Sequence, residues 1–157
     1  MTSISTVAQQ GKATTEKKTF KRTTSISQII QADPSVVWGL LTNASDFTRW
    51  NSTIVSLEGE IRENAKIRLK STLDESRTFK LKVKELLPEQ KLVWGDAMGK
   101  RVYTLERKNG GTYFNMTEKI GGPMFPLFAN KIPSFDESFE QFTADLKKEA
   151  ERVAQAK

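Results

Sequence analysis

The chain has 157 residues, 37% apolar and 28% charged, a length and balance that suit one folded, soluble domain with a single core. It contains no Cys and no His, which excludes disulfides, thiolate metal sites and His-based triads and predicts that no metal or other cofactor is bound. The formal net charge of +6 is uneven, because Lys12, Lys17, Lys18, Lys21 and Arg22 face only Glu16 at the start while the remaining residues are nearly balanced; no specific nucleic-acid partner is expected.

Residues 1–19, MTSISTVAQQGKATTEKKT, are polar and aperiodic and read as a disordered arm ahead of a domain spanning 20–157. They lack the apolar segment of a secretory signal, and no stretch approaches the roughly 20 apolar residues of a membrane span. With the absent Cys, this predicts a cytoplasmic protein. Phe20 to Ala32 has a β-type composition around Ile26, Ile29 and Ile30. Asp33-Pro34 then opens a helix, with Asp33 as N-cap and Pro34 where a missing N–H costs nothing. Val36, Val37, Leu40 and Leu41 follow at helical spacing, and a second short helix reaches Trp50.

A meander of about six strands comes next, over 55–57, 66–70, 77–84, 91–94, 101–107 and 112–120. In 66–70 and 77–84 apolar odd positions alternate with mostly cationic even ones, so one face of the sheet is wet and the other buried. Lys66, Arg68, Lys70, Lys80, Lys82 and Lys84 are read as that solvated outer face. Asn109-Gly110 is a hairpin turn. Residues 121–128, GGPMFPLF, break all periodicity and read as a covering loop, either a movable lid or a rigid plug, that buries Met124, Phe125, Leu127 and Phe128. Ser134-Phe135-Asp136-Glu137 reads as a capping box for a long helix carrying Phe135, Phe139, Phe142, Leu146, Ala150 and Val153. The fold class is α+β: a curved antiparallel sheet of about seven strands wrapped around a long C-terminal helix, with two short helices after the first strand.

ADPSVVWGLLTNASDFTRWN (32–51), with Ala32, Pro34, Val37, Trp38 and Trp50, resembles the opening of the START/Bet v 1-like superfamily, in its polyketide cyclase/dehydrase and lipid-transport-like branch. The element order, the apolar Gly-Pro loop and the ending FEQFTADLKKEAER (139–152) are similar as well. The resemblance implies a helix-grip fold with a hydrophobic cavity between sheet and helix, and it carries over no catalytic set.

Strand parity assigns the cavity wall to Gln28, Ile30, Leu69, Phe79, Leu81, Trp94, Tyr103, Phe114 and Met116, with Phe125, Phe128, Phe135, Phe139 and Phe142 from the loop and helix. These side chains equally suit a solid core. Trp38 is read as core, and Trp50 as either packing or pocket mouth. Glu118 continues the inward parity, where a carboxylate needs a partner or a proton. Its place near a strand end favours a solvated position, and its alternative role, with Tyr103, is to orient a ligand or move a proton. The expected function is binding or carriage of a small hydrophobic molecule; the alternatives are a cyclase/dehydrase-type enzyme and a regulatory interaction domain. Whether a reaction is catalysed, and the oligomeric state, stay open.

Overall fold

The computed structural model describes residues 10–156. Its elements are β1 (Thr14–Lys17), β2 (Lys21–Ile30), α1 (Pro34–Thr42), α2 (Phe47–Trp50), β3 (Ile54–Glu58), β4 (Lys66–Ser71), β5 (Phe79–Leu87), β6 (Lys91–Gly95), β7 (Gly99–Lys108), β8 (Gly111–Gly121), α3 (Phe125–Phe128) and α4 (Asp136–Gln155). The strands form one eight-stranded antiparallel sheet in the order β1-β2-β8-β7-β6-β5-β4-β3. Register shifts interrupt β3 between Ile54 and Ser56 and β5 between Val83 and Glu85, and such bulges bend a sheet.

The local signals act as their chemistry dictates. Asp33 caps α1 by accepting from the Ser35 N–H at 2.9 Å, and its other oxygen accepts from Arg107 at 2.7 Å. Asn109 and Gly110 take φ values of 50° and 79°, the positive pair that a two-residue hairpin between β7 and β8 requires. Lys66 pairs across strands with Lys82, and Arg68 with Lys80, on the exposed face. The opposite face carries apolar ranks: Ile26, Met116, Tyr103 and Leu92 stand in register on β2, β8, β7 and β6. The buried side of α4, Phe139, Phe142, Leu146 and Ala150, lies against the same core. Trp50 joins it through Phe47 (4.6 Å between ring centres) and Phe142 (6.2 Å).

Several sequence expectations change here. Residues 14–17 form an edge strand, not disordered arm: Thr15 meets the Thr24 hydroxyl and donates to Asp136, and the Ala13 N–H donates to Glu140 of α4. A polar edge strand has no apolar period to betray it, and it brings the strand count to eight. Residues 1–9 of that arm lie outside the described residues. The covering loop contains α3, which buries Phe125 and half-buries Phe128 while Met124 and Leu127 stand in solvent. The capping box does not close: Ser134 Oγ accepts from the Asp136 N–H, and no side chain caps the first turn. Trp38 is only half-buried, on the rim of the core.

Glu149 ties α4 to the short helices. Arg152 donates to it at 2.6 Å, and Arg49, which also grips Asp46, reaches it at 2.6 Å. These donors, Arg152 first and then Arg49, outweigh partial burial and hold the carboxyl at about 2 instead of 4.5. A depressed carboxyl stabilises the fold above its unfolded pKa and loses that contribution as pH falls through its folded one. Both guanidiniums are exposed, so screening limits the effect to about 1–2 kcal/mol. Urea titrations of wild type and Glu149→Gln are expected to show this advantage for wild type at pH 6 and its loss as the pH falls from about 4.5 to about 2.

Candidate functional site

Over most of its length the space between sheet and α4 is solid. Tyr103, Phe114, Met116, Phe139 and Phe142 are all buried there, with Tyr103 against Trp94, Phe114 and Phe142 at ring separations of 5.1, 6.3 and 5.9 Å. The layers part at one end, where strands β4–β8 meet the segment 131–135 ahead of α4. There they leave a cleft of about 210 Å³, more than the ~150 Å³ that admits benzene. Leu69, Phe79, Leu81, Trp94, Ile120 and Phe135 supply its apolar wall.

Backbone construction sets the mouth. Asp96 Oδ1 accepts from the N–H groups of Met98 (2.9 Å) and Gly99 (3.0 Å), folding the β6–β7 turn tightly. Gly95 is obligatory in that turn, because a Cβ there would lie 2.3 Å from the Gly99 carbonyl oxygen. Opposite, Arg22 donates to the carbonyls of Ile132 (3.2 Å) and Pro133 (2.8 Å) and stacks on Phe135 at 4.8 Å, pinning the 132–135 segment in place.

The chemistry of the cleft is an ion pair. Arg101 Nε donates to Glu118 Oε1 at 2.7 Å, with only 14% and 18% of the two side chains exposed. The guanidinium lies over Phe139 at 4.9 Å, within reach of a cation–π contact. Burial opposes the Arg101 charge, and Glu118 and Tyr103 outweigh it, so its pKa lies above the usual guanidinium value. Burial pushes the Tyr103 phenol up to about 12 against the pull of Arg101, so it is protonated at neutral pH. Among the described residues the buried Tyr103 hydroxyl meets no partner in good hydrogen-bond geometry, the Arg101 guanidinium is the cation acting on it, and Glu118 takes the Arg101 Nε–H. The cleft-lining cations Arg77, Arg101 and Lys131 are matched by Asp74, Asp96 and Glu118, so the site is charge-neutral. It can donate hydrogen bonds, and its carboxylates already accept them, Glu118 from Arg101, Asp96 from two turn N–H groups and Asp74 from Ser76.

The sequence-assigned wall residues divide accordingly. Leu69, Phe79, Leu81, Trp94, Glu118 and Phe135 line the cleft together. Tyr103, Phe114, Met116, Phe139 and Phe142 form the packed core beneath it. Trp50 and Ile30 are buried in the core away from the cleft lining, and the Gln28 amide is occupied by Gln10 and the Ile29 carbonyl. Phe125 and Phe128 pack on each other at 5.8 Å, outside the cleft. Glu118 is not solvated as its strand-end position suggested, because Arg101 shields and neutralises it. Arg101 is the residue that sequence reading missed. The Asn109-Gly110 turn pairs Lys108 with Gly111, and seven steps outward the same register sets Arg101 opposite Glu118.

A curved antiparallel sheet gripping a C-terminal helix, with a cleft where the two part, defines a member of the START/Bet v 1-like superfamily. Within it the chain belongs to the family described as Activator of Hsp90 ATPase homolog 1-like protein, whose model matches residues 31–151. No curated protein matches the chain. Among solved structures it is similar to protein MLL2253 from Mesorhizobium loti, at 18% identity and TM-score 0.66 over 84% of this chain and 98% of that one. The Aha1 dimer from Colwellia psychrerythraea is similar at 17% identity and TM-score 0.61 over 81% of this chain and 94% of that one. DynU16, from the dynemicin biosynthetic locus, is similar at 15% identity and TM-score 0.64 over 83% of this chain and 47% of that one. Identities this low establish a shared fold. No helix among the described residues is long and apolar enough to cross a membrane.

Proposed function

We propose that the protein binds a small, mainly apolar molecule carrying a neutral hydrogen-bond acceptor, such as a ketone, and holds it without chemical change. The observation that carries this reading is the largely buried Arg101 guanidinium, held by Glu118 through Nε and lying over Phe139, at a mainly apolar, charge-neutral cleft. A buried donor gains most from an acceptor that water cannot supply there, which fixes the ligand's orientation while the walls supply the affinity. A free carboxylate is disfavoured because Glu118 already neutralises Arg101. The cyclase/dehydrase alternative has less support: Glu118 is salt-bridged, Asp74 and Asp96 accept from Ser76 and from turn N–H groups, and the phenol is held protonated. Family membership favours a second reading, regulation of a partner ATPase such as the family description names, and it specifies no surface for it.

Prodan, a neutral naphthyl ketone with polarity-sensitive emission, tests the first reading. Saturable binding at one prodan per chain, with blue-shifted emission and quenching of Trp94, is expected. Leu81→Trp, which fills the cleft from its half-buried wall, is expected to weaken it at least tenfold. Equal binding by both proteins, together with an empty chain in native mass spectrometry of material purified from its own host, defeats the reading.

A further inference from the structure

Exposed apolar residues are normal when scattered and informative when they cluster. Four of the large apolar side chains exposed on this protein belong to one end of the sheet: Phe20 (57%), Met98 (42%), Met124 (60%) and Leu127 (72%). Backbone bonds hold their segments together. The Gly122 N–H donates to the Phe20 carbonyl at 3.0 Å, and the Gly121 N–H to the Met98 carbonyl at 2.9 Å. Within the same segment, Phe125 N–H bonds back to Gly122 and Leu127 N–H to Met124. The β1–β2 turn, the β6–β7 turn and α3 therefore make one tip.

Cations surround this tip. Lys21 is paired with Gly121 and Lys100 with Lys119, while Lys131 shares the cleft rim with Met98. Lys17 and Lys18 border a separate hollow beside Phe125, of about 440 Å³. Against these six lysines stand three acids, Glu16 (paired with Lys18 at 3.2 Å), Asp96 and Asp136, so the local balance is positive. The tip therefore presents apolar side chains inside a ring of net positive charge.

We propose that this tip docks onto the surface of a bilayer containing acidic phospholipid. Charge complementarity selects this occupant: apolar side chains enter the acyl boundary while lysines reach up to the headgroup phosphates. Each lysine near such a surface strengthens attachment about fivefold. Met98 and Lys131 belong to both the tip and the cleft, so, granting the ligand reading above, a guest dissolved in the bilayer meets the cleft without crossing water. The docking itself stands whether or not the cleft takes a guest.

Flotation of the full chain with vesicles tests it. Binding is expected to vesicles of phosphatidylcholine with phosphatidylglycerol, little to phosphatidylcholine alone, and release on raising the salt from about 50 to about 500 mM. Met124→Ser combined with Leu127→Ser is expected to weaken binding at least tenfold while the thermal midpoint stays put, since both side chains stand in solvent. Failure to bind acidic vesicles at low salt overturns the proposal, as does undiminished binding by the double variant. Light scattering gives a third way to lose it: a wild-type dimer that the double variant converts to monomer makes the patch a self-interface.

Discussion

Phe142→Ala is expected to lower the stability of the fold by about 3–5 kcal/mol. Phe142 is only 1% exposed, on the face of α4 that meets the sheet. Its ring lies 5.8 Å from Phe47, 6.2 Å from Trp50 and 5.9 Å from Tyr103, so it joins the short helices, the long helix and β7. Truncation removes the transfer energy of a whole ring and leaves a cavity whose walls belong to three different elements, which relax poorly together. For a chain of this length the loss corresponds to a fall in thermal midpoint on the order of 10 °C. Urea denaturation followed by tryptophan emission measures it, with the midpoint shifted and the slope unchanged. Phe142→Leu is expected to restore most of the loss. A cost under about 1 kcal/mol would mean that the ring borders open space instead of packed neighbours, and the sheet–helix gap would then be the long hollow that sequence reasoning expected.

That expectation shows where legibility ended. Which side chains face inward was readable, because parity is local: Phe79, Leu81 and Val83 alternate with lysines, and β5 places them inward as the pattern requires. The terminal helix was readable for the same reason, since Phe139, Phe142, Leu146 and Ala150 recur at helical spacing and all are buried. How much space inward side chains leave is not a matter of parity. It depends on whether Tyr103 of the sheet reaches Phe142 of α4 across the gap, which their ring separation of 5.9 Å settles. Strand β1 escaped notice because part of its stability is borrowed: Thr15 gains Asp136, and the Ala13 N–H gains Glu140, only once the fold has brought α4 alongside. Arg101 escaped because a cation in a strand reads as outward-facing. Its inward parity with Tyr103 and Leu105 made sense only through the hairpin register that delivers Glu118.

The pair they form separates folding from function by a double-mutant cycle. Arg101→Met leaves Glu118 in a largely dry cleft without its partner, and Glu118→Leu leaves a guanidinium over Phe139 with no counter-charge. Fully buried pairs cost about 3–5 kcal/mol when one member is removed. With some solvent reaching both groups here, each single variant is expected to lose about 1–3 kcal/mol. The combined variant has no stranded charge, and its added methylenes suit an apolar wall, so its stability is expected to return to within about 1 kcal/mol of wild type. Prodan affinity is expected not to return with it. The ketone loses its donor, and binding in the combined variant stays at least tenfold weaker, about 1.4 kcal/mol. Glu118→Gln extends the logic: it keeps an acceptor for Arg101 but leaves the cleft with a net positive charge, so a carboxylate analogue of prodan is expected to gain affinity over the ketone. Full prodan binding by the refolded Arg101→Met/Glu118→Leu variant would instead make the pair a device for keeping two strands in register, and the polar end of the ligand would have to be sought elsewhere in the cleft.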